Sequence, residues 1–111
     1  MGKVTRPANS RTEIERQIMR VYAGMDPRLP IRDIAAHAQR IERLGYDGLP
    51  IAETIHDPFL ASMAALQATT TLTVRTSVAL ALVRSPMAIA YSAWDLAALS
   101  DGRFQLGLGT Q

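Results

Sequence analysis

The sequence predicts a parallel α/β fold: a half-barrel, the first four strands of a (β/α)8 TIM barrel. Three observations carry this expectation. Apolar runs with β-branched residues alternate with alanine- and leucine-rich stretches at helical spacing. Two of the connections hold a cap-plus-proline pair, Asp57-Pro58 and Ser85-Pro86. There the oxygen side chain takes free amide groups, and proline's fixed φ suits the first helical position. The chain has 111 residues, close to half of the roughly 250 that a complete barrel takes. It is therefore expected to be incomplete relative to its architecture.

The elements follow in order. Residues 1–18 are expected to form a disordered or partly helical basic tail, because Pro7, Asn9 and Ser10 interrupt it and Arg6, Arg11 and Arg16 charge it. The regular pattern begins at Met19, which is expected to serve as an alternative start. Residues 19–25 read as the first strand, closed by Asp26-Pro27. In the first helix Ile31, Ile34, Ala35, Ala38, Ile41 and Leu44 recur on one face, and Gly45 stops it. The second strand, residues 48–52, ends at Glu53; Pro50 removes a ladder donor, so a short or bulged strand is expected. A second helix covers residues 59–68. The third strand, residues 72–82, carries Val74, Val78, Leu80 and Leu82 among threonines and alanines, which suits burial on both faces. A third helix runs from Ser85-Pro86 to Asp101-Gly102, and a fourth strand occupies residues 104–109. Strand–helix alternation with short loops implies right-handed parallel connections.

Composition excludes several classes. The apolar fraction is 48%, ample for one packed core. There is no cysteine, which rules out disulfides and thiolate metal sites and is compatible with a cytoplasmic location. Twelve basic and ten acidic side chains leave a net charge of +2, with the surplus near the amino end, so no nucleic-acid partner is expected. No apolar run approaches the ~20 residues of a membrane span, so no membrane partner is expected either.

Polar marks inside the strands point to a ligand site at the carboxyl edge of the sheet. Thr76 and Ser77 interrupt the third strand, and Gly107 and Gly109 allow close approach to the fourth. Glu53 stands where a barrel places functional side chains. Asp26 closes the first strand at the same mouth, and it also fits an ordinary turn before Pro27. Arg84 and Arg103 read as structural, near Asp101 or on the surface; Trp94 reads as packing, and His37 as a solvated or core-edge residue.

The stretches YDGLPIAETIHDPFL and LTVRTSVALALVRSPMAIAYSAWDLAALSDGRFQLGLGTQ resemble the luciferase-like monooxygenase superfamily, in its branch of coenzyme F420-dependent oxidoreductases. The resemblance runs from about Met19 to Gln111, and LSDGRFQLGLG with the upstream RSP is its most specific part. It implies a TIM barrel that carries reduced F420, or alternatively FMN, across the carboxyl ends of its strands and acts on a small-molecule substrate. It makes Thr76, Ser77 and Val78 a support for the ring, with a non-prolyl cis bond at Ser77–Val78. Gly107 and Gly109 become its neighbours, and Asp26 joins the cofactor-binding set. Glu53 and His56 become the catalytic candidates, able to act as a coupled acid–base pair. Here the sequence departs from the family, in which histidine directly follows the acidic residue; Thr54 stands in that place. Thr110 likewise stands where some relatives hold the cofactor phosphate with arginine.

Two other readings compete. One is a non-catalytic half-barrel that forms homo-oligomers through its open sheet edges. The other is a Rossmann-like nucleotide-binding domain with GLGTQ as a phosphate loop, against which the glycines fall on the fourth strand instead of following the first.

Overall fold

The structure is a computed structural model and describes residues 19–110; the expected tail over residues 1–18 lies outside them. After a 3-10 turn, Ile31–Asp33, come α1 (Ile34–Arg43), β1 (Gly48–Ile51), α2 (Pro58–Gln67), β2 (Thr73–Thr76), β3 (Ala79–Leu80), α3 (Pro86–Leu99), β4 (Phe104–Gln105) and β5 (Leu108–Gly109). All ladders are parallel: β1–β2–β4 form one sheet and β3–β5 a second. The parallel α/β class and the three helices follow the sequence expectation. The strands differ in three places.

The first strand is reduced to a single bridge, Tyr22 to Gly48. Pro50 explains why. The carbonyls of Asp47 and Ile51 accept from Thr73 N and Ser77 N on β2, so residues of that parity face β2. Pro50 has the opposite parity and turns toward residues 19–25, where it has no N–H to offer. Pairing there stops after Ala23 N donates to Gly48 O. Gly48 itself packs under Tyr22, whose ring occupies the place of a Cβ.

The third strand is two strands, and it turns over between them. Before the break Thr73 N and Ser77 N point to β1, while Val74 N points to Arg103 O. After it Ala79 N and Ala81 N point the other way, to Gly107 O and Gly109 O. Burial reverses with the hydrogen bonds: Val74 and Thr76 are buried, Ser77 and Val78 are exposed, and Ala79 is buried. Leu82, expected within the strand, is 82% exposed. The fourth strand divides at the matching point. There Thr76 Oγ1 donates to Gly107 O (2.8 Å) and accepts from Gly107 N (2.9 Å), replacing the ladder bonds that the break removes. A Cβ on Gly107 would collide with Thr76 O.

The core lies between the helices and one face of the sheet. Leu49, Ile51, Val74 and Phe104 meet Ile34, Ala38 and Ile41 of α1, Phe59, Ala61, Ala65 and Leu66 of α2, and Ile89 and Leu96 of α3. Trp94, expected to pack, is 78% exposed. It is one residue past Ala93, which packs on the core, and therefore points off that stripe. His37 is core-edge as expected: it is half-buried, and its Nε2 is buried without a partner.

Two charged side chains join the elements at the amino ends of the strands. Arg103, expected near Asp101 or on the surface, instead donates to Leu66 O, Thr69 O, Thr69 Oγ1, Leu72 O and Ser100 O. It thereby satisfies carbonyls that the ends of α2 and α3 leave open. Glu42 Oε2 accepts from Thr70 N, Thr71 N, Thr71 Oγ1 and Leu72 N. Burial pushes the Glu42 carboxyl up, but those bonds outweigh it and hold the group below the usual glutamate range.

Gly107→Ala should cost about 2 kcal/mol in urea unfolding, because the added carbon has only backbone to displace. Gly24→Ala, whose Cβ would meet nothing within 4 Å, should stay within about 0.5 kcal/mol of the parent. Glu42 supplies a pH dependence of defined sign. Its folded value lies below its unfolded value, so its stabilisation is complete above the unfolded value and is lost as pH falls through the folded one. Glu42→Gln should remove that part of the acid dependence in melting curves taken from pH 7 to pH 3.

Candidate functional site

The carboxyl ends of β1 and β2 open on a recess of about 220 Å³. Gly24, Met25 and Pro27 line it from the segment before α1, and Pro50, Ile51 and Ala52 from β1 and its carboxyl end. Thr54 and His56 come from the loop after β1, Ala61 from α2, and Ser77 from the end of β2. The lining is mostly apolar, contains His56 as its one titratable side chain, and includes no lysine or arginine.

The loop between β1 and α2 has reason to hold its shape. Asp57 Oδ1 accepts from Phe59 N (2.8 Å) and Leu60 N (3.2 Å), and Pro58 occupies the first helical turn, as the sequence predicts. His56 Nε2 lies 2.8 Å from Leu29 O. A carbonyl only accepts, so Nε2 is the donor of this bond, and Nδ1 is the ring nitrogen left outside it.

The candidate residues separate into groups. Thr76, Ser77, Val78, Gly107 and Gly109 converge where β2 and β4 give way to β3 and β5. The Ser77–Val78 peptide bond is cis, the bond singled out by the resemblance. A Cβ on Gly109 would stand 2.5 Å from Val78 Cγ2, so a side chain there would have to displace that of Val78. Ser77 reaches the recess, whereas Thr76 is buried and spends its hydroxyl on Gly107. Asp26 is exposed and held by Arg28, through Arg28 N (2.9 Å), Nε (3.2 Å) and Nη2 (3.1 Å). Those bonds keep its carboxyl below the usual range. It serves as a turn residue, as Leu29 N donating to Asp26 O also indicates.

Glu53 and His56 are not joined by a hydrogen bond among the described residues. Glu53 instead meets Arg84 in a bidentate pair, Nη1 to Oε1 at 2.8 Å and Nη2 to Oε2 at 2.9 Å. Leu80 N donates to Oε1 as well, at 2.8 Å. The Arg84 guanidinium, against the opposing effect of burial, holds the Glu53 carboxyl below the usual range, and the Leu80 N–H adds to it. Arg84 also approaches Asp57 Oδ2 at 3.9 Å and lies over the Phe59 ring, 5.1 Å from its centroid. The sequence reading took this arginine as structural, near Asp101 or on the surface; it is an ion-pair partner, but of Glu53 and largely shielded from solvent. The available signal was its position, directly before the Ser85 cap and so at the same carboxyl mouth as Glu53.

Among the described residues no group of three or more His, Cys, Asp or Glu could hold a metal ion, and no helix is long and apolar enough to cross a membrane. For a flat aromatic ring the recess is suitable in both size and lining. It is smaller than the roughly 300–1,000 Å³ of a pocket for a whole cofactor, and it lacks a cation for a phosphate.

Comparison with known proteins places the chain. Residues 9–111 match the model of the family described as luciferase-like monooxygenase. Uncharacterized proteins of Mycobacterium tuberculosis and Mycobacterium bovis are each 47% identical over 74 residues, 67% of this chain and 22% of theirs. The chain thus spans about a fifth of the length of the curated relatives it matches. Among solved structures, the oxygenating constituent of 3,6-diketocamphane monooxygenase from Pseudomonas putida, a type II Baeyer–Villiger monooxygenase in complex with FMN, superposes with a TM-score of 0.73. That match covers 84% of this chain and 30% of the other at 20% identity, so the fold is what they share.

His56→Ala should cost about 1 kcal/mol and speed hydrogen exchange at the Leu29 amide. Exchange at Val74 N, bonded to Arg103 O inside the sheet, should keep its parent rate.

Proposed function

The chain belongs to the luciferase-like monooxygenase family, and from that premise we propose that its recess receives the ring of a flavin-type cofactor in an oxidoreductase. The observation that carries this reading is the position of the recess. It lies at the carboxyl ends of parallel strands, where such barrels bind ligands, and Ser77, directly after β2, is in its wall. Ser77 and Val78 would lie under the ring, with Met25, Pro27, Pro50 and Ile51 closing apolar surface around it. His56, its Nε2–H fixed on Leu29 O, has its Nδ1 left to hold or take a proton from a small-molecule substrate.

A bound flavin or deazaflavin supplies two-electron redox chemistry that no protein side chain offers. The chain's own residues contribute a dry, shaped wall and one imidazole. With no lysine or arginine in the lining and threonine at position 110, the phosphate anchor lies elsewhere. Two cofactors compete. The FMN in the Pseudomonas putida protein favours FMN, while the resemblance through RSP and LSDGRFQLGLG favours F420.

A second reading is favoured by one observation. An apolar groove of about 290 Å³, lined by Ala81, Pro86, Ile89, Ala90, Leu106 and Leu108, borders the open edge at β5. It suits self-association through that edge. Sedimentation of the purified chain tests it, and a monomer at all concentrations sets it aside.

Titration of the chain with FMN and with F420, followed by fluorescence, tests the first reading and separates the cofactors. Ser77→Trp, which fills the recess from an exposed position, should weaken binding at least tenfold and leave the melting temperature unchanged. Equal affinity in parent and variant would place the ring elsewhere.

A further inference from the structure

An acidic residue at the carboxyl end of a barrel strand reads first as a proton carrier, and Glu53 was a candidate on that ground. The surroundings of Glu53 assign it another task. We infer that Glu53 and Arg84 form a positioning pair, which holds the backbone from Ser77 to Leu80 in the shape against which the flavin ring is laid. This inference rests on the cofactor reading of the recess.

The argument starts from the ladder. β1 pairs with β2 as far as Ile51 and Thr76, and its last bond runs from Ser77 N to Ile51 O (2.7 Å). Beyond that point β1 has ended, yet the neighbouring chain continues and has turned over. Its outer side is met by Ala79 N donating to Gly107 O at 2.8 Å. Its inner side would have no partner without Glu53. The backbone N–H of Glu53 donates to Val78 O (3.3 Å), and its side-chain Oε1 accepts from Leu80 N (2.8 Å). One residue therefore grips the chain on either side of Ala79, doing with a side chain what another strand would do with its backbone.

Arg84 makes that grip rigid. It occupies both carboxylate oxygens at 2.8 and 2.9 Å. The side chains are only 19% and 16% exposed, so solvent competes weakly for the pair. Arg84 is itself located by Asp57, which caps α2, and by the Phe59 ring. With three donors on its two oxygens, Glu53 has no convenient site for a mobile proton. It is also not part of the recess lining.

The test compares the parent with Glu53→Gln, Glu53→Asp, Arg84→Met and the double variant Glu53→Gln/Arg84→Met, titrated with FMN and with F420 while the visible spectrum of the ring is recorded. Each single change should weaken binding about tenfold and shift the spectrum in the same sense. The double variant should be no worse than the singles, because one device has been removed. Glu53→Asp keeps the charge and the fold but is one methylene too short to reach both Leu80 N and Arg84, so it should share the defect. Parent and Glu53→Gln affinities should follow pH in the same way from pH 5 to pH 9, since the Glu53 carboxyl is held below the usual range by Arg84 and any limb there belongs to other groups or to the ligand. If the parent binds and the single variants bind equally well with unchanged spectra, the inference is overturned alone. A limb in the parent pH profile near neutrality that vanishes in Glu53→Gln overturns it too, in favour of a proton carrier. A parent that binds neither ring overturns the reading of the recess and this inference with it.

Discussion

The structure depends on how two parallel ladders are joined end to end across one residue pair. Thr76 and Gly107 meet where the sheet β1–β2–β4 stops and the pair β3–β5 begins. The Thr76 hydroxyl both gives a hydrogen bond to Gly107 and takes one from it. No strand bond is available at that point, because the chain turns over at Ser77–Val78 and its amides change sides. A hydroxyl with donor and acceptor on one atom answers both needs, and a residue without a side chain opposite it leaves the room. The reversal exposes two successive residues, Ser77 and Val78, at the carboxyl mouth. The site is a consequence of that join.

Because the strands are two to four residues long, the ladders alone satisfy few backbone groups, and charged side chains complete the pairing. At the amino ends Glu42 collects the amides before β2, and Arg103 collects carbonyls from the ends of α2 and α3. At the carboxyl ends Glu53 and Arg84 do the equivalent for β3. Glu42 and Arg103 each match an ion with several backbone partners of opposite polarity, and Glu53 matches one backbone amide and the Arg84 guanidinium, bonds stronger than a neutral pair. They link parts of the chain about 30 residues apart, the length of one strand–helix repeat. Such ties occur at both ends of the strands.

The helices were legible in the sequence because their signals are local. Asp57-Pro58, Ser85-Pro86 and Gly45 each act within a turn of where they stand. The half-barrel class followed from alternation and length, and the family match agrees with the resemblance carried by LSDGRFQLGLG. The breaks in the strands were not legible from periodicity. An apolar run such as Val74, Val78, Leu80 and Leu82 looks continuous whether or not its amides change sides midway. Pro50 was visible, but which neighbour it deprived depends on parity within the folded sheet. For the site, the position of Glu53 could be read from where its strand ends, and Ser77 stood out as a polar mark inside an apolar run. The partner of Glu53 could not be read, since Arg84 is 31 residues away and ion pairs leave no periodic trace.

The recess has walls of unequal stiffness. The wall from β1 shares a full ladder with β2, whereas the wall from Gly24 to Pro27 follows a segment joined to β1 through one isolated bridge, Tyr22 to Gly48, with Met25 packed on the core. Local opening draws on the least-bonded parts of a structure, far below the cost of global unfolding. The two walls therefore differ in the cost of opening, and residues 24–27 should yield before β1 parts from β2. A guest bulkier than the resting volume would be accommodated on the side of residues 24–27, while the strand side keeps a fixed template.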